Sequence, residues 1–113
     1  MNFQVVLTKQ AKADLISIYQ YIAYDLQSPQ TAEGQLSRLE KAIASLDQMP
    51  ERYRVYEHEK WKDRNLRIMS VNNYLVFYIP SREDNTVTVM RIMYGGRDVD
   101  RQLECSSFDG FFE

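Results

Sequence analysis

The chain switches between strand-like runs and stretches of helical period. FQVVL, residues 3 to 7, is a short β-branched run and predicts an opening strand. Thr8 follows as a candidate helix cap, because its hydroxyl can accept one of the N–H groups that a first helical turn leaves unpaired. Leu15, Ile18, Ile22 and Leu26 then recur at spacings of three and four, which marks one apolar helix face. Tyr19, Tyr21 and Tyr24 flank that stripe and are expected to pack along its edge rather than form a binding box. Ser28-Pro29 ends this helix and starts another. A proline at the first helical position has its φ already set and lacks only an N–H that would be unpaired anyway. Leu36, Leu39, Ile43 and Leu46 form the second stripe, Ala32 and Ala42 allow close approach, and Pro50 is expected to close the helix. Two amphipathic helices joined this tightly make an antiparallel hairpin, and neither buries its stripe without a further layer.

Three later runs supply that layer: LRIMSV (66 to 71), YLVFYI (74 to 79) and VTVMRIMY (87 to 94). Asn72-Asn73 separates the first two, and asparagine tolerates the left-handed conformation of a tight hairpin. YLVFYI is apolar on both faces, as a central covered strand must be. The predicted fold class is α+β, two-layered, in the order β-α-α-β-β-β, with the helix hairpin packed on a small, mainly antiparallel sheet. Residues 51 to 65, ERYRVYEHEKWKDRN, form a charged connection that Tyr53, Tyr56 and Trp61 are expected to pin to the body. Residues 1–104 are expected to form a single domain and 105–113 a tail, in which Phe108, Phe111 and Phe112 follow no period. Those rings dock on the sheet, meet a partner, or lie loose.

Composition narrows the chemistry. The 113 residues suffice for one core and not two. No apolar run reaches membrane-spanning length, and the N-terminus lacks a signal-peptide core. The single Cys105 forms no internal disulfide, so a cytoplasmic location is expected. One His and one Cys predict neither a metal cluster nor a cofactor, and His58 sits in a charged segment without the signature of a nucleophile elbow. The net charge of −2 conceals an asymmetry, since residues 52 to 101 hold ten of the fourteen basic residues against seven acidic ones. That mild excess is far from the strongly basic footprint of a dedicated nucleic-acid binder.

The stretch VTVMRIMYGGRDVDRQ, residues 87 to 102, concentrates the unusual features. Arg91 lies mid-strand, so its guanidinium needs a carboxylate or water, supplied by a partner or by this chain. Tyr94-Gly95-Gly96-Arg97-Asp98 ends the strand, and the glycines are expected to permit a bend that carries Arg97 clear of the sheet. Arg97 then either faces a partner or pairs with Asp98 or Asp100.

FQVVLTKQAKADLISIYQYI, LDQMPERY, NLRIMSVNNYLVFY and VTVMRIMYGGRD, in this order and at these spacings, resemble the RelE/ParE superfamily of toxins from bacterial type II toxin–antitoxin modules. The resemblance spans roughly residues 3 to 103. It implies a small sheet carrying a helix hairpin, and neutralisation by a small antitoxin whose disordered part folds on the toxin. It also implies one of two activities: RelE-like members are ribosome-dependent mRNA endonucleases, and ParE-like members poison DNA gyrase.

RelE-like cleavage uses lysines and arginines on the sheet face with a tyrosine or histidine near the C-terminus. By the resemblance Arg67 falls at or beside one strand lysine, and Arg97 matches the arginine after the final strand. The other basic strand position corresponds to Met69, Leu75 stands where an arginine follows the middle-strand tyrosine, and Leu103 occupies the place of the terminal acid or base. One preorganised donor on a developing charge contributes roughly 3 kcal/mol or more, so these departures favour the ParE-like branch. The expectation is therefore a gyrase inhibitor acting by protein–protein contact. The alternatives are an mRNA endonuclease working on the ribosome with Arg67, Arg97, Arg54 or His58, and an inactive binding relative. Tyr94, Arg91, Arg97 and Asp98 are the candidate contacts to target or antitoxin, and free of antitoxin the chain is expected to form a homodimer.

Overall fold

The computed structural model describes residues 2 to 56 and 65 to 95. The opening strand, β1, is Gln4–Leu7, and the first helix, α1, is Lys9–Gln20. Thr8 caps α1 as its position predicts: its Oγ1 accepts the Ala11 N–H at 3.0 Å and also donates to the Met90 carbonyl at 2.9 Å. The helix does not continue in register to Leu26. Tyr21–Asp25 widens into a π turn, in which the Leu26 N–H donates to the Tyr21 carbonyl at 3.0 Å. Each π turn takes up one extra residue and rotates the side chains downstream of it. Ile22 and Ala23 are thereby buried against Ala32, whereas Leu26, expected on the buried stripe, is 56% exposed.

Gln27, at φ 52°, reverses the chain into the second helix, α2, Pro29–Ala44. Pro29 occupies the first turn, but Ser28 makes no capping bond to the backbone, and its hydroxyl donates to Thr31 Oγ1 at 2.6 Å. Pro50 does not close this helix. The α-helix ends at Ala44 and tightens into a 3₁₀ turn, Ser45–Asp47, before Met49 at φ 46° and a second 3₁₀ turn, Pro50–Arg52. The left-handed Met49 breaks any helix running from Ala44 into Pro50, since its φ lies outside the right-handed helical region.

The remaining strands are β2, Arg67–Val71, β3, Tyr74–Ser81, and β4, Thr86–Tyr94. They form one sheet in the order β1-β4-β3-β2, antiparallel except that β1 runs parallel to β4. The fold is the two-layer α+β arrangement that the patterning predicts. Asn72 at φ 55° and Asn85 at φ 52° close the two hairpins. Ala11, Leu39, Ile43 and Leu46 from the helical layer meet Met69, Val76, Tyr78, Val87, Val89 and Ile92 in the main core. The other sheet face carries its own cluster, Leu66, Ile68, Phe77, Met90 and Met93, with Tyr56, Leu75 and Ile79 packed around it.

Met90 has no partner on β3: Phe77 faces Arg91 and Tyr78 faces Val89. This β-bulge explains how neighbouring β4 residues serve different faces, with Val89 and Ile92 in the main core and Met90 and Met93 in the second cluster. Strict alternation through Arg91 does not hold here.

Candidate functional site

Of the arginines that the sequence offers for chemistry, Arg67 is committed to the fold. Its Nε donates to Asn65 Oδ1 at 3.2 Å, and its Nη1 donates to the carbonyls of Glu51 at 3.0 Å and Tyr53 at 2.6 Å. It thus ties the turn after α2 to the start of β2. Beside it the Tyr78 hydroxyl donates to the Pro50 carbonyl at 2.6 Å. Burial pushes the Tyr78 phenol up to about 12, against the pull of Arg67 and Arg52 and with a smaller push from Tyr53. Arg54 contributes its carbonyl, which accepts the Ile68 N–H at 3.1 Å, while the residue itself is exposed. His58, Arg97 and Asp98 lie outside the described residues.

Arg91 finds its carboxylate within the chain. Its Nε and Nη2 donate to Asp14 Oδ2 at 2.7 Å and Oδ1 at 3.0 Å, a forked pair. The same carboxylate accepts the Ile92 backbone N–H at 2.9 Å. The geometry follows from the short β1. Among the described residues no strand lies beside the outer edge of β4 beyond Leu7; there the Thr8 N–H donates to the Val89 carbonyl, Thr8 Oγ1 to that of Met90, and Asp14 takes Ile92. Sequence reasoning did not single out Asp14. Its signal was an acid on the same helix face as Ala11 and Ile18, three before and four after it.

Arg67 and Arg91 are held by different partners, the carbonyls of Glu51 and Tyr53 in one case and Asp14 in the other. Among the described residues, Ile68, Phe77, Met90 and Met93 are buried on the sheet face away from the helices, with Leu75 and Ile79 partly buried beside them. Among the described residues, no group of three or more His, Cys, Asp or Glu is placed to hold a metal. No described helix is long and apolar enough to cross a membrane.

The described surface is notable for its aromatic rings. Tyr94 and Tyr74 are paired across β4 and β3, their rings edge-to-face with centroids 5.8 Å apart. Burial, then Tyr94, then Tyr21 of the π turn raise the Tyr74 phenol above its ordinary range. Tyr21 and Tyr94 are 50% and 48% exposed, so they face outward. Gly95 shows no left-handed φ. Its N–H donates to the Asn73 carbonyl at 2.9 Å, and a Cβ there would sit 3.4 Å from that oxygen and from Leu75 Cγ. Those are ordinary contact distances, so neither a bend nor close approach requires glycine here; Gly96 lies outside the described residues.

On the outer side of the hairpin, Leu15, Ile16, Tyr19, Tyr24 and Leu36 line an open groove of about 500 Å³ with Lys12 and Glu40 at its rim. Tyr19 packs against the small cluster under the helices, as an edge residue should, but Tyr24 is 69% exposed. The π turn turns it, like Tyr21, away from the packing expected of it.

The fold is shared with solved toxin–antitoxin proteins. The chain superposes on a chromosomal ParDE system from Pseudomonas aeruginosa with a TM-score of 0.67 at 17% identity, covering 81% of this chain and 95% of that one. It matches the toxin–antitoxin complex RelBE2 from Mycobacterium tuberculosis at 0.60 and 19% identity, covering 83% and 99%. The archaeal RelE–RelB complex from Pyrococcus horikoshii follows at 0.58 and 21%, covering 86% and 99%. No curated protein matches the chain in sequence. The family model described as the ParE toxin of the type II toxin–antitoxin system parDE matches residues 5–99. This chain belongs to that ParE toxin family.

Proposed function

We propose that the chain is the toxin of a type II toxin–antitoxin module that inhibits DNA gyrase by protein–protein binding, without chemistry of its own. The observation that carries this reading is the commitment of its strand arginines: Arg67 holds backbone carbonyls and Arg91 holds Asp14. Among the described residues, the sheet face away from the helices is apolar at six strand positions. Cleavage of a phosphodiester needs preorganised positive charge where the transition state becomes more negative, and these side chains supply none.

A cognate antitoxin neutralises the toxin under the same reading, as the toxin–antitoxin nature of the structural relatives supports. Its seat is the groove between α1 and α2. A segment that folds on binding would lay the apolar face of an amphipathic helix along Leu15, Ile16 and Tyr19.

The deciding experiment adds purified chain to gyrase and relaxed plasmid. Loss of supercoiling with accumulation of cleaved DNA is expected. Unimpaired supercoiling, together with translation-dependent cutting of message by the same preparation, would overturn the reading in favour of an endonuclease.

A further inference from the structure

We infer that the outer edge of β1 is a docking edge for a second copy of this chain, and that chains free of antitoxin pair through it as a two-fold dimer. The inference does not depend on which target the toxin acts on. Alternate residues of β1 turn their backbone groups towards β4: the Gln4 N–H donates to the Asn85 carbonyl at 2.8 Å and the Thr8 N–H to that of Val89 at 3.1 Å. The odd-numbered residues therefore turn theirs the other way. Phe3 shows this, because its N–H donates outward to the Asp47 carbonyl at 2.7 Å. The N–H and C=O groups of Val5 and Leu7 follow along the same edge. Among the described residues no strand and no side chain takes them.

Elsewhere the sheet edge is met by this chain. Along β2 the Tyr56 N–H donates to the Leu66 carbonyl at 2.7 Å and the Ile68 N–H to that of Arg54 at 3.1 Å. Beyond Leu7, β4 is met by Thr8 and Asp14. The edge of β1 lacks the charge, the proline and the bulge that keep sheet edges apart. Its one guard is its shortness, so the association is expected in the micromolar rather than the nanomolar range. Val5 and Leu7 pack against the main core, while Val6 on the other face is 36% exposed.

The hydrogen-bonding pattern selects the occupant. A second β1 laid antiparallel offers the same groups in the order needed. Val5 exchanges hydrogen bonds with Leu7 of the second copy, Leu7 with its Val5, and Val6 lies on the two-fold axis opposite its counterpart. Sliding one strand by two residues sets Phe3, already held by Asp47, or Lys9, already in α1, at a ladder position. The symmetric register alone uses every outward group of both copies. It also brings the Phe3 end of each β1, beside Asp47, to the Lys9 end of the other, an acid near a base. Positions without mutual hydrogen bonds bring their side chains closest, so Val6 packs on Val6 and one sheet runs through both copies.

The test takes the full chain released from its antitoxin and compares the parent with Val6→Lys and Val6→Glu, each checked for native circular dichroism. Val6 is exposed, so either charge can be carried by the monomer. Sedimentation velocity over a range of concentrations reads the association. The parent is expected to dimerise, and each variant to associate about tenfold or more weakly, because like charges then face each other across the axis. An equal mixture of the two variants is expected to dimerise again, since unlike charges meet there. A parent that stays monomeric at every concentration overturns the inference; if the variants then also lose antitoxin capture, the edge belongs to an antitoxin strand instead. A mixture of the variants that stays monomeric overturns the symmetric register. A dimer that both variants leave intact and Ile16→Glu breaks would assign self-association to the groove and overturn the inference as well.

Discussion

Asp14, in the second turn of α1, grips Arg91 of β4 through two hydrogen bonds and the Ile92 backbone through a third. Both side chains are mostly withdrawn from solvent, at 15% and 18% exposure. Coulomb attraction between them is therefore screened less than in a surface pair, and losing one partner leaves the other's desolvation uncompensated. Asp14→Ala is expected to lower unfolding free energy by about 3 kcal/mol, read by urea denaturation. The Asp14→Ala/Arg91→Met double variant should recover part of that loss, because the guanidinium that has lost its forked partner is removed as well.

Thr8 serves two elements with one hydroxyl, accepting from Ala11 and donating to Met90. Thr8→Val keeps the shape and removes both bonds. A loss of about 2 kcal/mol is expected, combining a helix cap with a buried hydrogen bond. Thr8→Ser, which preserves the hydroxyl, should stay within about 0.5 kcal/mol of the parent in the same measurement.

The phenol of Tyr78 predicts an alkaline limit. An unfolded tyrosine ionises near 10, whereas this one is held neutral up to about 12 by burial. Its neutral form is therefore favoured in the folded state, so the stability it contributes is complete below pH 10. Stability from this group is lost between pH 10 and about 12. Tyr78→Phe should be less stable than the parent at neutral pH by about 1 kcal/mol and should lack this part of the alkaline decline. Thermal melts across pH 8 to about 12 check both statements.

Arg67 separates a structural from a catalytic role. Arg67→Gln is expected to lower stability by about 2 kcal/mol, since the carbonyls of Glu51 and Tyr53 lose a charged donor. At a temperature where the variant remains folded, its growth arrest should equal that of the parent.

Leu26 and Ile22 form a matched pair across the π turn. Leu26→Glu should be neutral to within about 0.5 kcal/mol, whereas Ile22→Ala should cost about 2 to 3 kcal/mol. A helix continuing in its α register would give the opposite ranking for a charge at Leu26.

Local chemistry made much of this fold legible. The Thr8 cap, the Pro29 start, the left-handed Asn72 and the apolar run of β3 each depend on neighbours within a few positions. The π turn was hidden because Leu15, Ile18, Ile22 and Leu26 fit an unbroken α period equally well. The helix after Leu46 misled because proline was read as the stop, when the chain had already tightened at Ser45. The candidate cations show the other limit. Arg67 and Arg91 look like free strand-face charges until partners 14 to 16 and 77 residues away are brought against them.

The parallel pairing of β1 with β4 bears on how the protein is made. Gln4–Leu7 meets its partners at Thr86–Val89, and Thr8 reaches across 82 residues to Met90. Contacts so distant in sequence slow folding, because a long loop must close before they form. During synthesis the first strand waits without its ladder until the last has left the ribosome, several seconds later at roughly 5 to 20 residues per second. A growing fragment therefore lacks the β1–β4 ladder until Thr86–Val89 has emerged. Only a finished molecule joins its two ends into a working sheet.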